Sequence, residues 1–149
     1  MEQAGSVGAC ADRTYRLIAD DEHHRHFLPD SFSDFETLQK GTGAGTLHRF
    51  TVHAAGRTRE YTMRVAEPEP GRVITETDQD SSLVTSFTVT PSSADTCQVL
   101  ISTSWDGGGG IGGFFERLVT PRVMRRMYVD ELARLDRYAR EQDAAPPSS

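Results

Sequence analysis

A chain of 149 residues fits one domain, large enough to bury roughly 70% of the surface its unfolded form exposes without disulfide or metal staples. The net charge of −6, with no long basic run, argues against a nucleic-acid partner. No segment approaches the ~18 apolar residues of a membrane span, and the opening "MEQAGSVGACADRTYRL" lacks a basic region followed by an apolar one, so a cytoplasmic address is expected.

In chain order, a short strand near residues 3 to 8 is followed by "ADRTYRLIADDEHH", which places Tyr15, Ile18 and Ala19 at helical spacing, with Asp12 favourable to the positive helix start. Pro29 and its polar neighbours end that pattern. From Ser33 the period changes to two. "FETLQK", "TLHRFTVHAA", "REYTMRVAEP", "RVITETD", "LVTSFTVTP" and "CQVLISTSW" read as six strands, each closed by turn chemistry such as "GTGAG", "PEPG" or "PSSAD". After Thr120 and Pro121 comes the long amphipathic "RVMRRMYVDELARLDRYAREQ", with Met124, Tyr128, Leu132, Leu135 and Ala139 on one stripe. The expected domain is 1–142, with a disordered tail over 143–149.

Between the last strand and the long helix, "DGGGGIGG" satisfies G-x-G-x-x-G through Gly108, Gly110 and Gly113. A dinucleotide site needs a second parallel strand after the helix, and only a tail follows. No Gly-Lys-Ser/Thr follows either. The glycines therefore read as a strand-to-helix hinge, with gating of the adjacent space as a secondary idea. Lys40, the sole lysine, lies in a turn and makes a Schiff-base mechanism improbable. Cys10 and Cys97 have no C-x-x-C or metal-type spacing and are expected to stay thiols.

The order of short strand, short helix, six-strand meander, glycine-rich turn and long C-terminal helix resembles the START-like, helix-grip (SRPBCC) superfamily, and within it the polyketide cyclase/dehydrase and lipid-transport group. "ADRTYRLIADDEHHRHFLP", "GTGAGTLHRFTV", "TCQVLISTSWDG" and "RRMYVDELARLDRYARE" carry the resemblance over residues 5 to 142. Phe27 stands where an indole is common, and Gly5 and Gly8 make the first strand weak. The resemblance implies an α+β helix-grip fold, a curved antiparallel sheet of about seven strands around a long C-terminal helix, with one or two short helices after the first strand. It also implies a cavity for a hydrophobic or aromatic small molecule, used without metal or organic cofactor either to carry a lipid-like ligand or to cyclise and dehydrate a poly-ketone.

Strand alternation assigns faces independently of any family. His48 shares the inner face with Phe50, Val52 and Ala54, while His53 points to solvent. Arg59, Tyr61, Met63 and Val65 share the next inner face, followed by Leu83, Thr85, Phe87 and Val89, and then Cys97, Val99, Ile101, Thr103 and Trp105. The fifth strand stays ambiguous, because Ile74 pairs with Glu76 and Val73 with Thr75.

A cyclase needs a base to remove a proton next to a carbonyl and a donor for the developing enolate oxygen. His48 is the candidate base, and Tyr61, Arg59 or Tyr128 the candidate donors. The simpler alternative makes them a polar core wall without chemistry. Phe27, Phe50, Arg59, Met63, Phe87, Ile101, Thr103, Trp105, Met124 and Tyr128 are the candidate ligand contacts. "DDEHHRH" holds ligand-type residues, but consecutive residues at a helix end rarely converge on one ion, so no metal is expected and the segment reads as a solvated helix end near the cavity mouth, where His26 is a further possible contact. Arg122, Arg125 and Arg126 read as a solvated helix face. An acid/base cyclase or dehydratase, a non-catalytic carrier or sensor, and a partner-binding module with a closed cavity all remain open, and two or more convergent polar groups in the cavity would favour the enzyme.

Overall fold

The computed structural model describes residues 1–54, 56–105 and 121–144. The glycine run and Thr120, with the hinge and gating ideas attached to them, lie outside the described residues. So does the tail beyond Ala144.

Strand β1 (Glu2–Val7) leads into helix α1 (Ala11–Ala19) and the short α2 (Asp21–His24). Six strands follow: β2 (Phe32–Gln39), β3 (Leu47–Ala54), β4 (Arg57–Glu69), β5 (Val73–Asp78), β6 (Val84–Pro91) and β7 (Cys97–Ser104). The long helix α3 (Pro121–Ala144) runs two residues past the expected domain end, so Asp143 and Ala144 are helical. All strand pairs are antiparallel, in the order β1-β7-β6-β5-β4-β3-β2. The six strands from β2 to β7 thus form an uninterrupted meander, and β1 joins its β7 edge.

Period-two alternation gives the sheet one apolar face, and that face packs against α3. His48, Phe50 and Val52 of β3, Tyr61, Met63 and Val65 of β4, and Thr85, Phe87 and Val89 of β6 are buried, while their neighbours in sequence are half-buried or exposed. Strand β5 turns Ile74, Glu76 and Asp78 inward, which resolves the ambiguity of the fifth strand in favour of the face bearing two carboxylates. On α3 the stripe Met124, Tyr128, Leu132, Leu135 and Ala139 is buried, and Arg122, Arg125 and Arg126 are exposed.

Three local features place the site. A Cβ on Gly5 would lie 3.2 Å from the Leu132 side chain, so the weak first strand reflects close passage of α3 over β1. The "GTGAG" loop, with Gly41 at φ +117° and Gly43 at φ +69°, clamps the α1/α2 junction: Asp21 N–H donates to the Gly41 carbonyl at 2.9 Å, and Gly43 N–H to the Ala19 carbonyl at 3.1 Å. In β2, Asp34 adopts φ +54° at a register shift between Ser33 and Glu36, which brings Phe32 and Phe35 to the same cavity wall although three residues separate them.

Candidate functional site

Between the sheet and α3 lies a cavity of about 50 Å³. Its apolar wall comes from Phe32, Phe35, Phe50, Met63, Phe87, Met124 and Met127, among others. Its polar groups are His24, His48, Glu76, Glu131, Tyr61, Tyr128, Thr85 and Thr103.

On the sheet side, buried His48 stands between two carboxylates. Its Nδ1 donates to Asp21 Oδ1 at 3.0 Å, and its Nε2 lies 3.3 Å from Glu76 Oε1. Thr37 Oγ1 donates to the other Asp21 oxygen at 2.7 Å. Burial alone would discharge this imidazole, but Glu76 and Asp21 outweigh it and push its pKa up to about 10. The same pairing, against the opposing effect of burial, holds Asp21 and Glu76 below the usual carboxylate range. His48 is therefore an imidazolium with both nitrogens engaged. It lies on the cavity wall as alternation predicts, but it has no lone pair with which to accept a proton, so the role of base does not fit it.

On the helix side the pairing is looser. His24 Nδ1 donates to the Ile18 carbonyl at 2.9 Å, its ring stacks on Phe27 with centroids 4.7 Å apart, and its Nε2 lies 3.8 Å from Glu131 Oε2. Burial opposes charge on His24, yet the nearby carboxyls of Glu131 and Glu76 raise its pKa. Glu131 is 4% exposed, and its Oε2 has no hydrogen-bond partner. Burial lifts its carboxyl above the usual range despite the influence of His24.

A third polar group is a chain of hydroxyls. Tyr128 bonds to Thr103, and Thr103 Oγ1 lies 2.9 Å from Thr85 Oγ1. Burial pushes the Tyr128 phenol up to about 12 and also raises that of Tyr61, so both remain O–H donors at neutral pH. The Arg59 guanidinium sits 4.7 Å from the centre of the Tyr61 ring and donates to Asp78 Oδ2 at 3.3 Å, an oxygen that also accepts from Ser81 at 2.6 Å.

Of the residues singled out from sequence, His48, Tyr61, Phe50, Met63, Phe87, Thr103, Met124 and Tyr128 line this cavity. Phe27, Arg59, Ile101 and Trp105 do not: Phe27 is fully buried behind His24, Arg59 is turned to Asp78, Ile101 is packed in the core, and Trp105 lies half-buried past the end of β7.

The reading of "DDEHHRH" as a solvated end needs correction. Asp20 and His26 are not buried, and His23 bonds Tyr138 at 2.6 Å while His26 stacks on the same ring, but Asp21 and His24 are each only 3% exposed, Asp21 turned to His48 and His24 to the cavity. Glu131 went unnoticed although it follows Tyr128 by three positions and precedes Leu135 by four, on the apolar stripe itself. An acid on that stripe was the available signal. Among the described residues, no group of three or more His, Cys, Asp or Glu is arranged to hold a metal ion, and no helix is long and apolar enough to cross a membrane.

An antiparallel sheet gripping a terminal helix around a mixed cavity defines a helix-grip protein. The model of the family described as polyketide cyclase/dehydrase and lipid transport matches residues 2–140, and the chain belongs to that family. Among solved structures it is similar to the KanY protein, at 27% identity and TM-score 0.81 over 93% of this chain and 95% of that one. The Zhui aromatase/cyclase from Streptomyces sp. R1128 shares the fold at 21% identity and TM-score 0.69, covering 96% of this chain and 94% of that one. So does norcoclaurine synthase from Thalictrum flavum, solved in complex with dopamine and hydroxybenzaldehyde, at 17% identity and TM-score 0.68 over 100% and 88% of the two chains. A comparison with curated proteins found no match.

Proposed function

We propose that the protein is a cyclase or dehydratase that holds a hydrophobic, carbonyl-bearing molecule of the polyketide or aromatic kind between sheet and helix and acts on it by acid/base catalysis in the cytoplasm. One observation carries this reading: ionisable side chains from α2, β3, β5 and α3 converge, with a string of hydroxyls, on a cavity whose remaining wall is apolar. A carrier needs the apolar wall but gains nothing from burying His24, His48, Glu76 and Glu131, because each buried charge costs stability unless it is paired. The family match and the aromatase/cyclase neighbour support the same class of substrate.

His48 supplies a fixed positive charge, and Tyr61 and Tyr128 supply hydroxyl donors of the kind that stabilise an enolate oxygen. At about 50 Å³ the cavity is far below the roughly 300 Å³ at which drug-sized ligand pockets begin, so binding an aromatic ring system requires its walls to part. Met124 and Met127 are suited to that, since their unbranched side chains repack at small cost.

Native mass spectrometry of protein purified from its own host, followed by denaturing extraction, tests the reading. A bound polyketide or aromatic carbonyl compound is the expected result. A bound fatty acid or phospholipid would replace the enzyme with a carrier.

A further inference from the structure

We infer that Glu131 is the proton-shuttling catalytic residue of this cavity, removing the proton next to a ketone carbonyl and returning it to a hydroxyl leaving from the β carbon. The inference rests on the cyclase or dehydratase reading and assigns to one side chain a role that reading leaves open.

The argument is one of hydrogen-bonding capacity. Asp21 is held by His48 and Thr37, Glu76 by His48, and Tyr128 by Thr103. Of the two carboxylates that line the cavity, Glu76 and Glu131, it is Glu131 that has a buried oxygen without a hydrogen bond, the nearest charged partner being His24 Nε2 at 3.8 Å. A buried polar atom left unsatisfied is costly and calls for a reason, and use by a substrate is such a reason. The groups whose charge reaches it are His24 from α2, Glu76 from β5 and Asp130 from its own helix, with His48 of β3 and Asp21 of α2 paired behind Glu76.

Burial of Glu131 in this setting favours the neutral carboxyl, opposite in direction to Glu76. A carboxyl whose affinity for a proton is raised above the usual range is a better proton acceptor than an ordinary carboxylate and can still give the proton back, whereas a carboxylate pinned by an imidazolium does neither readily.

The step balances within the site. The Glu131 carboxylate takes the proton from the carbon between carbonyl and carbinol, and the C–H electron pair becomes the enolate. The enolate then re-forms the carbonyl as the carbon–carbon double bond closes and the C–OH bond breaks, and the departing hydroxyl takes the proton back from Glu131 and leaves as water. The carboxylate is restored, and no outside oxidant, reductant or proton source is needed.

The probe is 4-hydroxy-4-phenylbutan-2-one, whose dehydration to 4-phenylbut-3-en-2-one is followed by enone absorbance, with affinity for that product measured by calorimetry. The wild type is expected to convert it, and Glu131→Gln to lower kcat by about 100-fold or more while product affinity changes less than about threefold. Infrared spectra supply a second readout independent of turnover: a protonated-carboxyl band that fades as pH rises in the wild type and is missing in E131Q. An active wild type with an equally active E131Q, or a band that persists in E131Q, overturns the assignment to Glu131 and leaves the proposed function standing. A wild type that binds the enone but leaves the hydroxyketone unconverted overturns both.

Discussion

The two walls of the cavity handle charge in opposite ways. On the sheet wall, Asp21, His48 and Glu76 form a row in which an imidazolium lies between two carboxylates, each within 3.3 Å, with Thr37 bonded to the outer one. On the helix wall, Glu131 faces His24 across 3.8 Å and keeps an unsatisfied oxygen. The first arrangement fixes protonation states, and the second leaves one adjustable. A row locked by mutual pairing makes an electrostatic frame, and reactivity belongs to the group the frame does not lock.

That contrast can be broken most directly at its centre. His48→Ala removes the shared cation and leaves two buried carboxylates facing each other, and it is expected to cost about 3–5 kcal/mol in urea unfolding at pH 7. A loss below about 1 kcal/mol would mean that water already relieves the row and that the sheet wall is no frame.

The pH dependence sharpens the same point. The folded-state pKa of His48, about 10, lies above its unfolded value, so its stabilisation is fully present below the ordinary histidine range and is lost as pH rises toward about 10. Asp21 and Glu76 are shifted down, so theirs is present above ordinary carboxylate values and is lost as pH falls. Unfolding free energies of the wild type minus those of H48A should therefore form a plateau at mildly acidic pH, between the ordinary carboxylate and histidine ranges, that declines on both sides. A difference independent of pH between 6 and 10 would rule out a protonated His48.

The smallest effect is expected from the helix wall. E131Q relieves a carboxyl whose folded pKa is raised and which therefore costs stability as pH climbs above the ordinary carboxylate range. The variant should be more stable than the wild type by about 1–2 kcal/mol at pH 7. Destabilisation instead would show that Glu131 serves His24 as a structural counter-ion.

The fold was largely readable because backbone pairing and alternation are written in residue type. The runs ending in "GTGAG", "PEPG" and "PSSAD" became β2, β4 and β6, and the inner faces of β3, β4, β6 and β7 followed from simple parity. The site was half readable for the same reason. His48, Tyr61 and Tyr128 lie beside apolar neighbours, so hydrophobic patterning carried them inward. It failed where the core face itself holds charge. Glu76 and Asp78 made β5 look two-sided, and Asp21 and His24 sat in a polar heptapeptide whose four-residue helix is too short to show a period. Nor does residue type reveal that His48 is shared by two carboxylates contributed by α2 and β5. That depends on three-dimensional proximity, and it converts an expected base into a cation.

The bulge of β2 has a consequence for selectivity. With Asp34 at positive φ, both Phe32 and Phe35 reach the cavity, and Phe35 lies 5.0 Å from the His48 ring. Three positions separate the two rings, so replacing Asp34 by a β-branched residue that resists positive φ, with the residue count unchanged, favours plain alternation and must turn one of the two phenyl rings to water. An aromatic lip is thereby exchanged for a more polar one, with every charged residue of the cavity kept. In this molecule the backbone conformation of one edge-strand residue is a specificity dial separate from the chemistry beneath it.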